Sequence, residues 1–153
     1  MKSLELKIPP ALLMLIFGLF MWLVDHWAPQ LKVDWIGRNG VAWLVFFGAF
    51  MCVILGIYSF KRAQTSVDPT QPQKASSIVT TGIYQWTRNP MYLGFLMMLF
   101  AFSIKLSNPL TLLLLPLFVG YMNQFQIKPE EQVLAELFGK EYEQYLKLVR
   151  RWV

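Results

Sequence analysis

Two clusters of polar side chains stand out in a chain that is otherwise rich in apolar residues. The segment 88–94 reads Arg-Asn-Pro-Met-Tyr-Leu-Gly, and the acidic pair Glu130–Glu131 follows later in the chain. These residues bring together a guanidinium, an amide, a phenol hydroxyl and two carboxylates, all of which form hydrogen bonds. Because charged groups beside hydrocarbon are costly, a cluster of this kind usually lines a cavity or a site. The pattern therefore predicts a ligand-binding site at the ends of membrane-crossing helices.

The elements that must position these clusters are long apolar runs. Hydrophobic residues make up 56% of the 153-residue chain and charged residues 15%, against about 25% charged residues in a typical soluble domain. A helix needs about 20 apolar residues to cross a bilayer, and four uncharged runs approach that length. We therefore predict a single all-α integral membrane domain over 1–153, with four spans at 8–24, 40–60, 90–106 and 109–127.

The distribution of basic residues predicts the orientation. Four spans would place both termini, the loop 61–89 and the C-terminal segment 128–153 on one side of the membrane. Of the 14 Lys and Arg residues, only Lys32, Arg38 and Lys105 fall on the other side. Since the side richer in Lys and Arg is normally cytoplasmic, both termini are predicted to be cytoplasmic, in a bacterial inner membrane. The net charge of +5 then reflects topology and contact with the lipid bilayer, and no nucleic-acid partner is expected.

The segments beside the two polar clusters have recognisable local patterns. Residues 76–84 are rich in β-branched and small side chains, which favours an extended backbone with a turn at Gly82 and leaves main-chain groups free for a ligand. After the fourth span, Pro129 is expected to begin a separate amphipathic helix that ends at Gly139. A second amphipathic helix should follow, in which the tyrosines at 142 and 145 are packing residues.

Neither Cys52 nor His26 indicates a metal or redox site. Cys52 is the only cysteine and lies in the second apolar run, while His26 is the only histidine. A lone cysteine cannot form an internal disulfide, and a zinc site needs several His or Cys ligands. No metal is therefore predicted.

Several motifs in the C-terminal half resemble those of one family of membrane enzymes. The motifs are 78–84, 88–94, Glu130–Glu131, Phe138–Gly139, and a tail with Tyr142, Tyr145, Val149 and Arg150-Arg151-Trp152. In this order, with a hairpin of spans between the two halves, they resemble the isoprenylcysteine carboxyl methyltransferase family, in its bacterial-type members, and the related phospholipid methyltransferases. The resemblance runs from about residue 65 to the end of the chain.

The resemblance implies a methyltransferase that uses S-adenosyl-L-methionine and encloses it between the cytoplasmic loop and the C-terminal segment. Glu130 would pair with the α-amino group of the cofactor, and Tyr84 or Tyr92 would stack on adenine or face the sulfonium. Arg88 would hold the cofactor carboxylate and, with Glu131, is the candidate catalytic residue that orients or deprotonates the acceptor. The implied cofactor-binding residues are Ser76, Ser77, Ile78, Val79, Tyr84, Asn89, Pro90, Met91, Tyr92 and Glu130.

Two departures from the family pattern leave the acceptor open. Asn89 stands where the eukaryotic enzymes have histidine, and Gln126 stands where the prenylcysteine enzymes have a substrate-binding arginine. A lipophilic small-molecule acceptor is expected, either an isoprenylcysteine-like carboxylate or another lipid, methylated on O, N or S. The alternatives are a phospholipid N-methyltransferase, an NADPH-dependent membrane reductase of similar fold, and a non-catalytic membrane protein. Nothing in the sequence indicates the oligomeric state.

Overall fold

Five helices of nine or more residues make up most of the part of the chain that the structure describes. The computed structural model describes residues 5–66, 68 and 70–153, and no β-strand occurs among them. α1, α2 and α4 are long and apolar enough to cross a membrane, and α3 is a shorter apolar helix of 17 residues. The predicted all-α membrane fold is confirmed. The helices are α1 (Pro10–Trp27), α2 (Arg38–Arg62), α3 (Pro90–Leu106), α4 (Pro109–Phe138) and α5 (Lys140–Leu148).

Proline and residues with a left-handed backbone mark the helix boundaries. Pro10, Pro90 and Pro109 each occupy a first helical position, where the missing N–H group costs no hydrogen bond. Gly37, with a φ of 91°, immediately precedes α2, and Ser107, with a φ of 55°, ends α3. α3 therefore covers the predicted range 90–106, and α4 begins at the predicted residue 109.

α2 and α3 pack at close range through two glycines. A β-carbon added at Gly94 would lie 2.5 Å from Val53 Cγ2 and 2.8 Å from the Ala49 carbonyl oxygen. A β-carbon at Gly56 would lie 2.7 Å from Met91 Cγ. Small residues let helix backbones approach closely in a membrane, where packing rather than the hydrophobic effect holds helices together. This contact fixes the start of α3 against the end of α2.

The core lies between α1, α3 and α4. Met21, Phe118 and Met122 are fully buried there, and the rings of Phe17 and Phe118 meet edge to face with centroids 5.4 Å apart. The outward faces carry large apolar side chains, of which Leu44, at 74% exposure, is typical. A continuous apolar surface of this kind is unfavourable in water, so it is the surface that contacts lipid.

α4 is a single helix in which the geometry changes along its length. It begins with a 3-10 turn at Pro109–Leu113 and contains a π-helical turn at Met122–Ile127. The predicted amphipathic helix is present as Lys128–Phe138, with Pro129 in its first turn and Gly139 at its end, but it continues directly from the π turn without a break. Proline lacks an N–H group, and the wider π turn just before it accommodates the missing hydrogen bond.

α4 is also longer than a membrane requires. Its 30 residues correspond to about 45 Å at a rise of about 1.5 Å per residue, whereas a hydrocarbon core is about 30 Å thick. The apolar part, 109–127, is long enough to cross this core. The remainder, Lys128–Phe138, is amphipathic and carries the acidic pair. It therefore lies beyond the hydrocarbon, where polar groups are solvated.

At the other end of the bundle, polar groups join the loop after α1 to the hairpin between α3 and α4. Asp25 is 6% exposed and forms an ion pair with Lys32 at 2.8 Å. The buried side chain of Asn108 donates from Nδ2 to the Ala28 carbonyl at 3.0 Å. Since buried polar groups are costly unless paired, these bonds stabilise the loop against the hairpin.

Candidate functional site

A cleft opens where the ends of α2, α3 and α4 meet the loop 63–89 and α5. It encloses about 830 Å³ of empty space, part of which is open to solvent. Segment 88–94 and the pair Glu130–Glu131 both contribute to its walls.

Ten of the twelve residues that the sequence assigned to a site line this cleft. The two that do not are Ser76, which is exposed, and Pro90, which is buried at the start of α3. Lining a cleft does not by itself make a residue a ligand contact, so the cofactor-binding and catalytic assignments stay predictions. The ten are Ser77, Ile78, Val79, Tyr84, Arg88, Asn89, Met91, Tyr92, Glu130 and Glu131.

Hydrogen bonds to the end of α2 hold the loop over the cleft. The Thr65 hydroxyl oxygen accepts from the Ser76 N–H at 2.9 Å and from the Ser77 N–H at 3.4 Å. The Ser76 hydroxyl donates to the Gln64 carbonyl at 3.1 Å, and the Ser77 hydroxyl donates to the Ala63 carbonyl at 3.2 Å. The amides of these two serines therefore fix the loop and are not free for a ligand, contrary to expectation.

The loop then turns back towards α3 at Gly82, as predicted. Gly82 has a φ of 65°, and a β-carbon there would lie 3.1 Å from Ser59 Oγ on α2. Only glycine adopts this backbone conformation readily, so the turn can lie directly against the helix. Val79, just before the turn, is 7% exposed and lines the cleft.

Tyr92 and Glu130 connect α3 to α4 across the cleft wall. The Tyr92 hydroxyl donates to Glu130 Oε2 at 2.8 Å, and Gln126 donates from Nε2 to the Tyr92 hydroxyl at 3.3 Å. Tyr92 and Gln126 are buried, while Glu130 is half-buried. Among the described residues, no Lys, Arg or His forms an ion pair with Glu130. The carboxylate is thus held by neutral groups, and its charge is uncompensated.

The environment of Glu130 changes its acidity. Burial raises the pKa of Glu130 to about 7, against the lowering effect of hydrogen bonds from Tyr92 and Gln126, and the nearby Glu131 adds a smaller upward contribution. A bound ammonium group would favour the charged carboxylate and oppose this shift. Carboxyl groups with a pKa close to neutrality are common in ligand-binding and catalytic clefts.

Glu131, in contrast, is fully paired. Arg88 Nη2 donates to Glu131 Oε1 at 2.7 Å, and Arg151 Nη2 donates to Oε2 at 2.5 Å. The side chains of Arg88 and Glu131 are only 11% and 14% exposed, so this network is largely shielded from solvent. Both oxygens of the Glu131 carboxylate already accept hydrogen bonds from guanidinium groups. The contacts of Glu131 therefore favour a structural role over proton abstraction.

Arg88 and Asn89 bind the last residues of the chain. Arg88 Nη1 donates to the carbonyls of Leu146 at 2.9 Å and Val149 at 2.7 Å, and the Asn89 side-chain amide donates to the Arg151 carbonyl at 2.9 Å. The carbonyls at the end of a helix have no partner within it, and these donors supply partners after α5. The start of α3 is thereby fastened to the C-terminal segment, which closes the cleft.

α5 contributes two tyrosines to the cleft wall. Tyr142 and Tyr145 are 4% and 7% exposed, and both line the cleft. The Tyr145 hydroxyl donates to the Tyr84 carbonyl at 2.8 Å, while the Tyr84 ring meets Phe60 edge to face with centroids 5.4 Å apart. The Tyr145 hydrogen bond therefore holds the loop turn against α5.

The cleft tyrosines outside the membrane spans are neutral. Burial raises the pKa values of Tyr84, Tyr142 and Tyr145 above the ordinary value of 10.0. Their hydroxyl groups therefore stay protonated throughout the physiological pH range and act as hydrogen-bond donors and apolar walls rather than as bases.

Several residues that line the cleft were not recognised in the sequence. Asp68 was one: its carboxylate accepts from the Thr70 N–H at 2.9 Å and from Gln71 Nε2 at 3.1 Å. Asp68 and its hydrogen-bond partners belong to a polar loop whose composition is that of an ordinary solvated loop. Only the prolines of this loop indicate a defined backbone. The residues missed as site residues are Phe60, Ser66, Asp68, Gln71, Pro72, Ala75, Ile127, Leu134, Tyr142 and Tyr145.

The fold and the cleft define a helical membrane protein with a cleft at one end of its bundle, into which charged and aromatic side chains project. The phospholipid methyltransferase family model matches residues 37–141, which is more than half of the chain. The protein belongs to the phospholipid methyltransferase family. The prediction of a membrane methyltransferase family with isoprenylcysteine-type relatives is thereby confirmed.

Named relatives are consistent with this assignment. The chain is 31% identical to the protein-S-isoprenylcysteine O-methyltransferase of Saccharomyces cerevisiae over 62% of this chain and 43% of that protein. It is 30% identical to protein-S-isoprenylcysteine O-methyltransferase B of Arabidopsis thaliana over 79% of this chain and 61% of that protein. An uncharacterised protein of Haemophilus influenzae is 44% identical over 41% of this chain and 100% of its own length. No solved structure matches the chain.

Proposed function

We propose that the protein transfers a methyl group from S-adenosyl-L-methionine to a lipophilic acceptor. The observation that carries the proposal is the carboxylate of Glu130, which lines the cleft and has no cationic partner among the described residues. The α-amino group of the cofactor is a cation of suitable size to pair with it. Membership of the phospholipid methyltransferase family supports the same chemistry.

The remaining walls suit the rest of the cofactor. Phe60 and Tyr84 provide aromatic surface for adenine, and the ring of Tyr92 is available to face the sulfonium. Main-chain groups near Val79, which lines the cleft, would bond to the adenine edge. The neutral thioether that a sulfonium releases is a good leaving group, so methyl transfer depends mainly on in-line positioning of the acceptor and exclusion of water. The loop and α5 close the cleft and would supply both.

The charge of the cleft argues against a nicotinamide cofactor. Its lining acids are Asp68, Glu130 and Glu131, and the lining cation, Arg88, is already paired with Glu131. The phosphate groups of NADPH would meet negative charge with no free cation among the described lining residues. S-adenosylmethionine carries a positive sulfonium and no phosphate, so its charge is complementary to these walls.

The acceptor would reach the cleft from the bilayer. The cleft lies at the end of the bundle that carries most of the basic residues, which is the predicted cytoplasmic side. A water-soluble cofactor can enter there from the cytosol, while an apolar acceptor can enter between helices. The family description makes a phospholipid amine the second candidate acceptor beside an isoprenylcysteine-like carboxylate.

Calorimetric titration of the detergent-solubilised protein tests the proposed cofactor. S-adenosylhomocysteine and NADPH are titrated separately into the same preparation. We expect saturable binding of S-adenosylhomocysteine and none of NADPH. Binding of NADPH alone would support the reductase alternative, and binding of neither to a folded preparation would support a non-catalytic protein.

A further inference from the structure

A second cleft of different character lies towards the other end of the bundle. It is formed by α1, α2 and α3 and encloses about 1,090 Å³ of empty space, part of which is open. None of its lining residues belongs to the first cleft. The lining is apolar, with side chains such as Leu15 and Phe102, except for Asn39 and Lys105.

Lys105 is the one cation at this end of the described bundle that lacks an acidic partner. Lys32 pairs with Asp25, and Arg38 pairs with Asp34. No carboxylate in the described part of the chain lies within ion-pair distance of Lys105. Its side chain is exposed, so an external anion can reach it.

The position of Lys105 relates the cleft to the bilayer. Lys105 lies in the last turn of α3, and its ammonium group is 5.9 Å from the centroid of the Trp43 ring. Lysine and tryptophan are typical of the level of lipid headgroups. From Met98 to Lys105 the cleft extends for about 10 Å along the helix, at about 1.5 Å per residue. Its apolar part therefore lies at the depth of acyl chains.

The cleft opens sideways rather than towards water. Its edges include Leu15, Leu19 and Trp43, which are 63%, 55% and 54% exposed on apolar outer faces of the bundle. A hydrocarbon chain can enter such an opening directly from the membrane, whereas a polar ligand cannot. Charge and location thus indicate a lipid with a negative headgroup.

We propose that this cleft binds an anionic glycerophospholipid from the leaflet opposite the first cleft. The lipid phosphate would pair with Lys105 and accept a hydrogen bond from Asn39, while one acyl chain occupies the apolar space between α1 and α3. A lysine near a membrane surface strengthens binding of anionic lipid by about fivefold. The proposal does not depend on the chemistry of the first cleft.

Native mass spectrometry of the detergent-solubilised protein tests the site. The protein is titrated separately with phosphatidylglycerol and phosphatidylcholine that carry identical acyl chains. We expect phosphatidylglycerol to bind the wild type about fivefold more tightly. Lys105→Gln should abolish this preference, and Lys105→Arg should retain it. Arg38→Ala should also retain it, because that cation at the same end is already paired with Asp34.

A cleft-filling variant tests the acyl-chain part separately. A β-carbon at Gly18 would have only the Leu99 side chain nearby, at 4.0 Å, so a leucine there can extend into the cleft without a backbone clash. Gly18→Leu should weaken the binding of both lipids, because its side chain would occupy the space of the acyl chain. Size-exclusion profile and circular dichroism establish that each variant is folded. The proposal would be overturned if the wild type bound the two lipids equally, or if Lys105→Gln kept the preference for phosphatidylglycerol. It would also be overturned if the protein formed a dimer that covers the cleft and did not dissociate when lipid was added.

Discussion

The phenol of Tyr92 on α3 donates a 2.8 Å hydrogen bond to the carboxylate of Glu130 on α4. The two residues come from opposite sides of the hairpin, so this bond links the two sequence clusters directly. A neutral donor orients the carboxylate without cancelling its charge, which leaves Glu130 able to bind a cationic group. The expected behaviour of the site follows from this arrangement.

Replacement of Glu130 by alanine should weaken binding of S-adenosylhomocysteine by about 10- to 150-fold. A hydrogen bond to a charged group contributes about 1.5–3 kcal/mol, and this substitution removes it. Calorimetry measures the affinity, and Glu136→Ala, an exposed acid on the same helix, is the matched control. Tyr92→Phe should reduce the affinity only about fivefold, since it removes the hydrogen bond that orients Glu130 but keeps the charge of Glu130. Unchanged affinity in Glu130→Ala would show that the amine binds elsewhere.

Binding of S-adenosylhomocysteine should strengthen as the pH rises from 6 to 8. The pKa of Glu130 is raised to about 7 by burial, so the carboxylate that pairs with the ligand amine is mostly protonated at pH 6 and mostly ionised at pH 8. Affinity should therefore increase about tenfold over this interval. Calorimetry at several pH values should give a flat profile for Glu130→Gln. A wild-type profile as flat as that of the variant would contradict the assignment.

The same pKa makes a prediction for the unliganded protein. Because the folded form binds the proton of Glu130 more tightly than the unfolded form, stability should fall as the pH rises from the ordinary glutamate value of 4.5 to about 7, and then level off. Thermal unfolding midpoints across this range should show a smaller decline in Glu130→Gln. An equal decline in both proteins would mean that other groups cause it.

The pairing of Arg88 predicts a structural effect as well. Arg88→Ala removes two hydrogen bonds to the carbonyls of Leu146 and Val149, while Glu131 keeps its pairing with Arg151. The substitution should destabilise the protein by about 1–3 kcal/mol. Limited proteolysis should then cleave the C-terminal segment faster. Arg62→Ala, an exposed arginine at the end of α2, is the control. Intact protection in Arg88→Ala would show that the tail is held by other contacts.

Local sequence patterns predicted the helices but not how their ends meet. Pro90 and Gly82 were recognisable because their backbone preferences are intrinsic to the residue type. Pro129 lies in the first turn of an amphipathic α-helical segment, as predicted, but this segment continues from a π turn that the sequence did not reveal. A π turn depends on tertiary packing around it and leaves no local pattern in the sequence.

The site was predictable where charge and aromaticity concentrate. Glu130 and Tyr92 are conspicuous beside apolar spans, whereas Asp68 and Gln71 belong to an ordinary polar loop and enter the cleft only because the chain folds back at Thr65. Two partners of Arg88 could not be predicted, because they are backbone carbonyls at the end of α5, which any residue type could supply.

The close contact of α2 and α3 gives a test that is independent of any ligand. Gly94→Ala would place a β-carbon 2.5 Å from Val53 Cγ2 and 2.8 Å from a backbone oxygen, so the helices must separate, at a cost of about 1–3 kcal/mol. Gly120→Ala is the matched control, because no atom lies within 4 Å of a β-carbon there and alanine favours helix by up to about 1 kcal/mol. Unfolding midpoints in detergent should therefore fall for Gly94→Ala and hold or rise for Gly120→Ala. Since Tyr92 lies in the first turn of α3 and Arg88 just before it, separation of the helices should also weaken S-adenosylhomocysteine binding in Gly94→Ala alone. Equal midpoints and affinities in the two variants would contradict a contact that positions the site.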